Sequence, residues 1–297
     1  MSSTSGSRAA EAPSGRATRA ATIDGVPTDP GVDDFLSGTS GQVVGIKRTT
    51  AAVLSDAFDD VSALAGARRA RLLRASRSLA RRRVLVLGID AGPPNLLDAA
   101  RTELSRSRHH VEIATTTAGE RGKFENLNAL LADKPAGEHD WLIVVDDDVA
   151  LPKGFLDSFL FLAERFALQL AQPAHKHRSH AAWEVTRRRR GSVVRETPFI
   201  EIGPVSAFAA TTFDVLLPFP ATRSGWGLDL HWAAVAREHG WRAGVVDATP
   251  VRHGLRPIAA SYDRGAAKRE AREFLSTRPY LPAREVQRTL VTHRGWR

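Results

Sequence analysis

Three consecutive carboxylates, Asp146 to Asp148, directly follow the apolar run Trp141–Val145. A short apolar run rich in β-branched residues predicts a buried strand, so the three charges repel one another where solvation is poor. In extended geometry the side chains of Asp146 and Asp148 point to one side, where the pair could share a divalent cation. The structural alternative is an acidic turn that caps a helix beginning near Pro152.

The first half of the chain predicts the elements that would position this cluster. Apolar strands alternate with helices at 84–89, 95–105, 111–115, 124–131 and 141–145. Continuously apolar strands in this alternation indicate a parallel sheet with helices on both faces. Ligands bind beyond the carboxyl ends of such strands, which is where Asp90 and Asp146 lie.

The second half predicts a less regular arrangement. Its pattern indicates helices at 154–171 and about 228–239, extended strands within 183–208 and a last strand at 243–253. Together the two halves predict an α/β fold in which helices flank a mixed central sheet, preceded by an N-terminal helical extension.

Composition divides the chain into four parts. Residues 1–40 are small and polar without an apolar period, which predicts a disordered leader. Residues 41–83 predict a basic amphipathic helical extension, followed by a main domain over 84–265 and a C-terminal tail over 266–297. The extension could pack its apolar side on the domain, or it could attach to an anionic membrane surface.

Charge and cysteine content narrow the class of protein. The chain carries 42 Lys and Arg against 33 Asp and Glu, a net charge of +9, and two arginine clusters lie at 66–83 and 187–190. Neither cluster contains an aromatic residue, so no specific nucleic-acid partner is expected. The absence of cysteine excludes disulfides, thiolate zinc sites and cysteine nucleophiles. No apolar stretch reaches the ~18 residues of a spanning helix, so we expect a cytoplasmic protein. A second expectation is that the protein binds peripherally to the inner face of the membrane.

Several motifs resemble one enzyme family. A strand that ends in Asp-x-Asp resembles the metal and nucleotide-sugar motif of GT-A-fold glycosyltransferases, and RGKFENLNALLA (121–132) is similar to the segment that precedes it in family-two-type members. Residues 199–208, 225–233 and 244–254 resemble, in order and spacing, a group of GT-A-like proteins from plants and bacteria. The resemblance covers about residues 84–260. It implies a Rossmann-like GT-A catalytic domain and a nucleotide-sugar-dependent glycosyltransferase.

The resemblance implies a metal centre and a donor site. Asp148 would bind the Mn or Mg ion that bridges the diphosphate of a UDP- or GDP-sugar, and His253 would complete the ligand set. Asp146 would contact the same ion or the donor ribose. Asp147 would be one of the residues that bind the nucleotide-sugar donor. Elementary chemistry supports a metal ion at this position, because a divalent cation offsets the negative charge that develops on a nucleotide diphosphate leaving group.

The resemblance also implies a catalytic base. Asp229 occupies the place of the acidic residue that serves as base in inverting members, although this chain has Gly227-Leu228-Asp229 where the family has a Glu-Asp pair. An ionised carboxylate there would take the proton from the hydroxyl of a sugar, lipid-linked or other acceptor, with inversion at the transferred sugar. The alternative is that Asp229 caps a helix.

Other residues have weaker assignments to the donor site. Asp90 could bind the base or ribose or form a turn, and Lys123 could neutralise diphosphate charge or lie on the surface. Asn128 could hold the donor site together or cap a buried backbone group. Trp226, beside Gly227, could stack on a sugar ring or belong to the core. Three histidines, at 175, 177 and 180, are expected on a solvated loop.

Two other functions compete with a glycosyltransferase. The sequence VVDDDV (144–149) also satisfies the entry motif of haloacid-dehalogenase-type phosphohydrolases, but these need a second acidic pair, and the corresponding region offers only Asp247. A GT-A-like binding protein without activity is the other alternative. An inactive protein of this kind would be expected to have lost a metal ligand, whereas this sequence has all three candidates, Asp146, Asp148 and His253.

Overall fold

The computed structural model describes residues 33–36, 46–65, 67–254 and 263–296. Most of the predicted leader at 1–40 therefore lies outside the described residues. Its described part, 33–36, packs against the end of the chain: Phe35 is buried in the core, and Asp33 accepts two hydrogen bonds from Arg272 at 2.8 and 2.7 Å.

The described strands form a mixed sheet. They are β1 (Arg83–Asp90), β2 (His110–Thr117), β3 (Trp141–Asp146), β4 (Val149–Ala150), β5 (Leu170–His175), β6 (Val194–Thr197), β7 (Val205–Ala209), β8 (Ala243–His253) and β9 (Val291–His293). Their order is β2-β1-β3-β7-β5-β8-β6-β9, and β4 pairs with β8 outside this path. The pairs of β1 with β2 and β3, and of β5 with β8, are parallel, while β7 and β6 pair antiparallel with their neighbours.

Helices precede and flank this sheet. They are α1 (Ile46–Ala65), α2 (Arg68–Ser76), α3 (Leu97–Ser105), α4 (Lys123–Asp133), α5 (Phe155–Arg165), α6 (Phe213–Leu216), α7 (Leu228–Glu238), α8 (Arg264–Ser276) and α9 (Ala283–Val286). The predicted α/β class, with a mixed sheet, flanking helices and an N-terminal helical extension, is confirmed. None of the helices that the structure describes is both long and apolar enough to cross a bilayer.

The alternation of side chains along β1 divides the core into two layers. Leu85 and Leu87 pack in the layer that contains residues of α4, α7 and α8, whereas Val84 and Val86 pack in the layer that contains residues of α2, α3 and α5. All four side chains are at most 2% exposed. Burial on both faces explains why the sequence of β1 is apolar throughout rather than alternating.

The helix predicted over 154–171 is too long. The observed helix α5 ends at Arg165, Ala167 has a left-handed backbone with φ 52°, and the chain then enters β5 at Leu170. The apolar pattern continues past the helix end because every residue of β5 is buried, so periodicity alone could not mark the boundary. Within 183–208 the strand residues are 194–197 of β6 and 205–208 of β7, so extended structure occupies only part of this range.

Residues 266–296, the described part of the segment predicted as a C-terminal tail over 266–297, pack with the rest of the fold. β9 pairs antiparallel with β6 at the edge of the sheet, and Phe274, Leu281 and Val286 are buried in the same core layer as α7. These apolar residues are widely spaced, which is why the sequence pattern does not reveal the packing.

Replacing Phe274 by Ala should therefore destabilise the whole domain. Loss of a buried phenylalanine costs about 3–5 kcal/mol of unfolding free energy, to be measured by urea denaturation. The control is Glu273→Ala, an exposed position on the same helix. If both variants unfold like the wild type, α8 is a detachable tail and its assignment to the core is wrong.

Candidate metal centre

A short antiparallel ladder brings the predicted metal ligands together. β3 ends at Asp146, the chain turns through Asp147 and Asp148, and β4 then pairs with the end of β8 so that Val149 lies opposite His253. Asp146, Asp148 and His253 each offer one ligand atom, and these atoms all lie within 4.8 Å of one another. Two carboxylate oxygens and one imidazole nitrogen form a donor set that fits a divalent cation.

The imidazole of His253 is held at both nitrogens. Its Nδ1 lies 2.9 Å from the backbone oxygen of His180, and its Nε2 lies 3.0 Å from Asp148 Oδ1. A carbonyl oxygen can only accept, so Nδ1 carries a proton and Nε2 is the atom that could bind a cation.

The charge state of His253 follows from the same contacts. Burial lowers the pKa of His253, but the hydrogen bond and charge of Asp148, with the charge of Asp146, raise it above its ordinary value overall. A proton on Nε2 and a metal ion would therefore compete for the same position between His253 and Asp148.

Asp146 lies beside a fixed positive charge. Lys123 Nζ donates to Asp146 Oδ1 at 2.5 Å and to the backbone oxygen of Ile202 at 2.8 Å. A Cβ on Gly203 would overlap Asp146 Oδ2, so a larger residue at this position would displace the carboxylate of Asp146. The structure thus brings Lys123, a predicted diphosphate contact, directly to the metal centre.

The carboxylates of Asp147 and Asp90 hold the backbone that follows β1. Asp147 is buried, and its Oδ2 accepts from the backbone N–H of Ala91 at 2.8 Å. Asp90 Oδ1 accepts from the backbone of Gly92 at 2.8 Å and from Asn95 Nδ2 at 2.9 Å. Both residues therefore shape the rim of the site next to β3, in agreement with the turn alternative for Asp90.

Asn128 supports a loop through both ends of its amide. Its Nδ2 donates to the backbone oxygen of Phe219 at 2.7 Å, and its Oδ1 accepts from the backbone N–H of Phe219 at 2.9 Å. These contacts are those of a polar cap for backbone groups, and its predicted part in holding the donor site together stays a prediction.

The turn before α7 is built from glycines with left-handed backbones. Gly225 has φ 76° and Gly227 has φ 87°, and a Cβ on Gly225 would overlap the ring of Phe124. Trp226 between them is half-buried and packs against the core, as its structural alternative predicts. Because Gly227 is the N-cap of α7, Asp229 is not the cap.

Asp229 is buried at the start of α7. Its Oδ2 accepts from Trp183 Nε1 at 3.2 Å, and its Oδ1 accepts from the backbone N–H of Leu230 at 3.0 Å. Burial raises the pKa of Asp229 to about 7, and the charge of Glu201 adds to this increase, while the two hydrogen bonds oppose it. The group is thus poised to exchange a proton near neutral pH.

Two buried residues beside the site were not predicted. His175 is fully buried rather than on a solvated loop, and its Nε2 lies 3.4 Å from Glu201 Oε2. The ring centroids of His175 and His253 are 6.2 Å apart, and the charge of Glu201 acts on Asp229. A chain of buried polar groups therefore extends from the metal centre toward Asp229. A single acidic residue inside the apolar sequence FIEIG was the available signal for Glu201.

The other two histidines of the predicted solvated loop are also in contact with the fold. His177 Nε2 lies 3.3 Å from Asp59 Oδ2 of α1, and the backbone N–H of His180 donates to the backbone oxygen of His253 at 2.8 Å. None of the three histidines joins the metal ligand cluster found among the described residues.

No protein-family model matches the chain, and no curated protein sequence matches it. Among solved structures, the chain is similar to A197 from STIV, with 10% identity and TM-score 0.39 over 59% of this chain and 87% of that chain. It is also similar to S. aureus TarS 1–349 in complex with UDP-GlcNAc, with 11% identity and TM-score 0.40 over 65% of each chain. A third is GalNAc-T7 with UDP, GalNAc and Mn2+, with 10% identity and TM-score 0.40 over 65% of this chain and 47% of that chain. The chain thus spans less than two thirds of the TarS and GalNAc-T7 chains.

The raised pKa of Asp229 makes a prediction about stability. Between about pH 4 and pH 7 the unfolded carboxyl loses its proton while the folded one keeps it, so this group lowers stability as pH rises. Asp229→Asn cannot ionise and should remove that slope, leaving the variant more stable than the wild type at pH 8. Each unit of pKa shift corresponds to about 1.4 kcal/mol.

The measurement is the unfolding free energy from urea titrations at pH 5, 6, 7 and 8. Asp133→Asn, at an exposed position at the end of α4, is the matched control and should keep the wild-type slope. Identical slopes in all three proteins would show that Asp229 ionises normally in the folded state.

Proposed function

We propose that this protein is a metal-dependent glycosyltransferase that moves a sugar from a nucleotide-sugar donor to a hydroxyl acceptor. The observation that carries the proposal is the convergence of Asp146, Asp148 and His253 at the carboxyl ends of β3 and β8. His253 is far from Asp146 and Asp148 in the sequence, so an acidic turn alone does not account for the grouping of these three side chains. The resemblance of the surrounding motifs to GT-A glycosyltransferases supports the same function.

The ligand set fits Mn or Mg, which would supply positive charge to the diphosphate of the leaving group. Asp148 and His253 would hold the ion, with Asp146 as the third ligand or as a contact to the donor ribose. Lys123, fixed beside Asp146, would add a second positive charge for the diphosphate. The diphosphate would thus leave into a site in which positive charge is already in place.

Asp229 is the proposed catalytic base. The acceptor oxygen forms a bond to the anomeric carbon, its proton passes to the Asp229 carboxylate, and the bond between the anomeric carbon and the diphosphate breaks with its electron pair on the diphosphate oxygen. Hydrogen bonds from Trp183 and Leu230 fix the orientation of the carboxylate. A single attack from the face opposite the leaving group inverts the configuration.

The contacts of Asp247 argue against a phosphohydrolase of the haloacid-dehalogenase type. Both carboxylate oxygens of Asp247 are bound by Arg195, at 2.8 and 3.0 Å. Asp247 is also not part of the group formed by Asp146, Asp148 and His253, whose ligand atoms lie within 4.8 Å of one another. It is therefore unsuited to complete an acidic cluster with Asp146.

Metal-dependent nucleotide binding tests the site. Titration calorimetry with UDP- and GDP-sugars should show binding to the wild type that requires Mn. Asp148→Ala should weaken the Mn-dependent binding by at least about tenfold, because loss of a ligand costs no less than loss of an outer-shell partner. Asp133→Ala, which removes an exposed carboxylate, should bind like the wild type. Binding without metal dependence, or unchanged binding in Asp148→Ala, would contradict the proposal.

The role of Asp229 is tested by rate and stereochemistry once a donor is found. The wild-type kcat/KM should rise with pH and level off above about 7, where Asp229 is ionised. Asp229→Asn should lower kcat by about 10²–10⁴-fold while nucleotide binding persists. The product anomer, read by NMR, should be inverted, and a retained configuration would rule out Asp229 as the base of a direct displacement.

A further inference from the structure

A cleft of about 180 Å³ lies between the N-terminal helices and the second arginine cluster. Its walls include Arg68 of α2 and three consecutive residues, Arg188 to Arg190, of the loop before β6. Ala248 of β8 also lines it. None of the three candidate metal ligands, Asp146, Asp148 and His253, lines the cleft, so the two sites share no residue.

The cleft carries an excess of positive charge. Four arginines line it together with two aspartates, Asp59 and Asp247. Asp247 is already neutralised by its two hydrogen bonds from Arg195, which is buried outside the lining. Asp59 pairs with Arg190 at 2.6 Å, so the charges of the three other lining arginines, Arg68, Arg188 and Arg189, exceed those of the lining carboxylates. Burial and the neighbouring charge of Arg188 both lower the pKa of Arg68.

Two hydrogen-bond donors in the cleft are unsatisfied. Arg188 Nη1 and Ser192 Oγ are buried and make no hydrogen bond. The nearest carboxylate oxygens to Arg188 Nη1, on Asp60 and Asp59, lie 3.5 and 3.8 Å away, which permits ion pairing but is too long for a good hydrogen bond. Buried donors without a partner are uncommon in folded proteins, and a bound ion or water can supply the missing acceptor.

We propose that this cleft is an anion-binding site that takes a phosphate group. Arg188 and Ser192 would donate to its oxygens, and Arg68 and Arg189 would balance its charge. The same chemistry is offered by a phospholipid headgroup and by a small phosphorylated compound. Phe58, which lies under Arg190 at 5.0 Å, continues from the cleft into an exposed apolar stripe with Leu54 and Val61, and this neighbour favours a phosphate that carries an apolar chain.

The first experiment measures the thermal unfolding midpoint in inorganic phosphate, against NaCl of equal ionic strength, with EDTA present. Phosphate should raise the midpoint of the wild type in a saturable way. Ser192→Ala removes a hydroxyl that makes no hydrogen bond in the fold, so it should unfold like the wild type without phosphate, yet bind phosphate roughly two- to tenfold more weakly. Arg188→Gln should weaken binding by about tenfold or more.

The control for charge is Arg101→Gln, at an exposed position on α3 where the guanidinium lies 3.9 Å from Asp98. It should keep the wild-type response, and so should Asp148→Ala, because the proposal does not depend on the metal centre. A phosphate effect no larger than that of NaCl, or one that is lost in Asp148→Ala and kept in the cleft variants, would overturn the proposal.

A second experiment identifies the source of the phosphate. Co-sedimentation compares vesicles of phosphatidylcholine with vesicles that also contain phosphatidic acid. Weaker binding of Ser192→Ala and Arg188→Gln than of Arg101→Gln to the phosphatidic acid vesicles would support a lipid headgroup. Equal vesicle binding, together with a cleft-dependent response to inorganic phosphate, would support a soluble phosphorylated ligand.

Discussion

The candidate site depends on one short interaction, the pairing of β4 with the end of β8. Val149 lies opposite His253 in this ladder, and both Val149 and Val251 are fully buried, so the two strands are anchored by apolar packing. This anchor holds Asp148 and His253 in contact although carboxylates crowded at the end of β3 repel one another. Without it the acidic turn would be free to move its charges apart into solvent. The grouping of the three candidate metal ligands is thus a consequence of sheet pairing as much as of residue type.

The net charge of +9 is unevenly distributed over the molecule. α1 belongs to the extension predicted as basic, but it contacts the domain through acidic residues: Asp56 accepts from the backbone of His177 and Arg178, and Asp60 pairs with Lys176 at 2.7 Å. Arg68 of α2 and Arg188 to Arg190 of the loop before β6 line the basic cleft. The candidate metal site instead gathers the carboxylates Asp146 and Asp148.

The sequence predicted those features that have a local signal. The strands β1 to β3 could be predicted because burial on both faces makes their sequences apolar. The pairing of Asp146 with Asp148 could be predicted because alternate residues of a strand share a side. Glu201 and His175 were missed because their pairing is non-local, and so is the hydrogen bond that Thr186 donates to Glu201. Phe274 was missed for a related reason, since isolated apolar residues in a polar segment reveal packing only when their partners are known.

The contacts of α1 also reach the metal centre through one segment of chain. Asp56 holds the backbone at His177 and Arg178, and the next residues fasten the end of β8, where His180 binds Nδ1 of His253 through its carbonyl. A shift of α1 would move this segment and with it the hydrogen bond that fixes the tautomer of His253. The N-terminal helices are therefore coupled to His253, a candidate metal ligand, by hydrogen bonds rather than by direct contact, which makes the extension a structural part of the candidate site despite its distance in sequence.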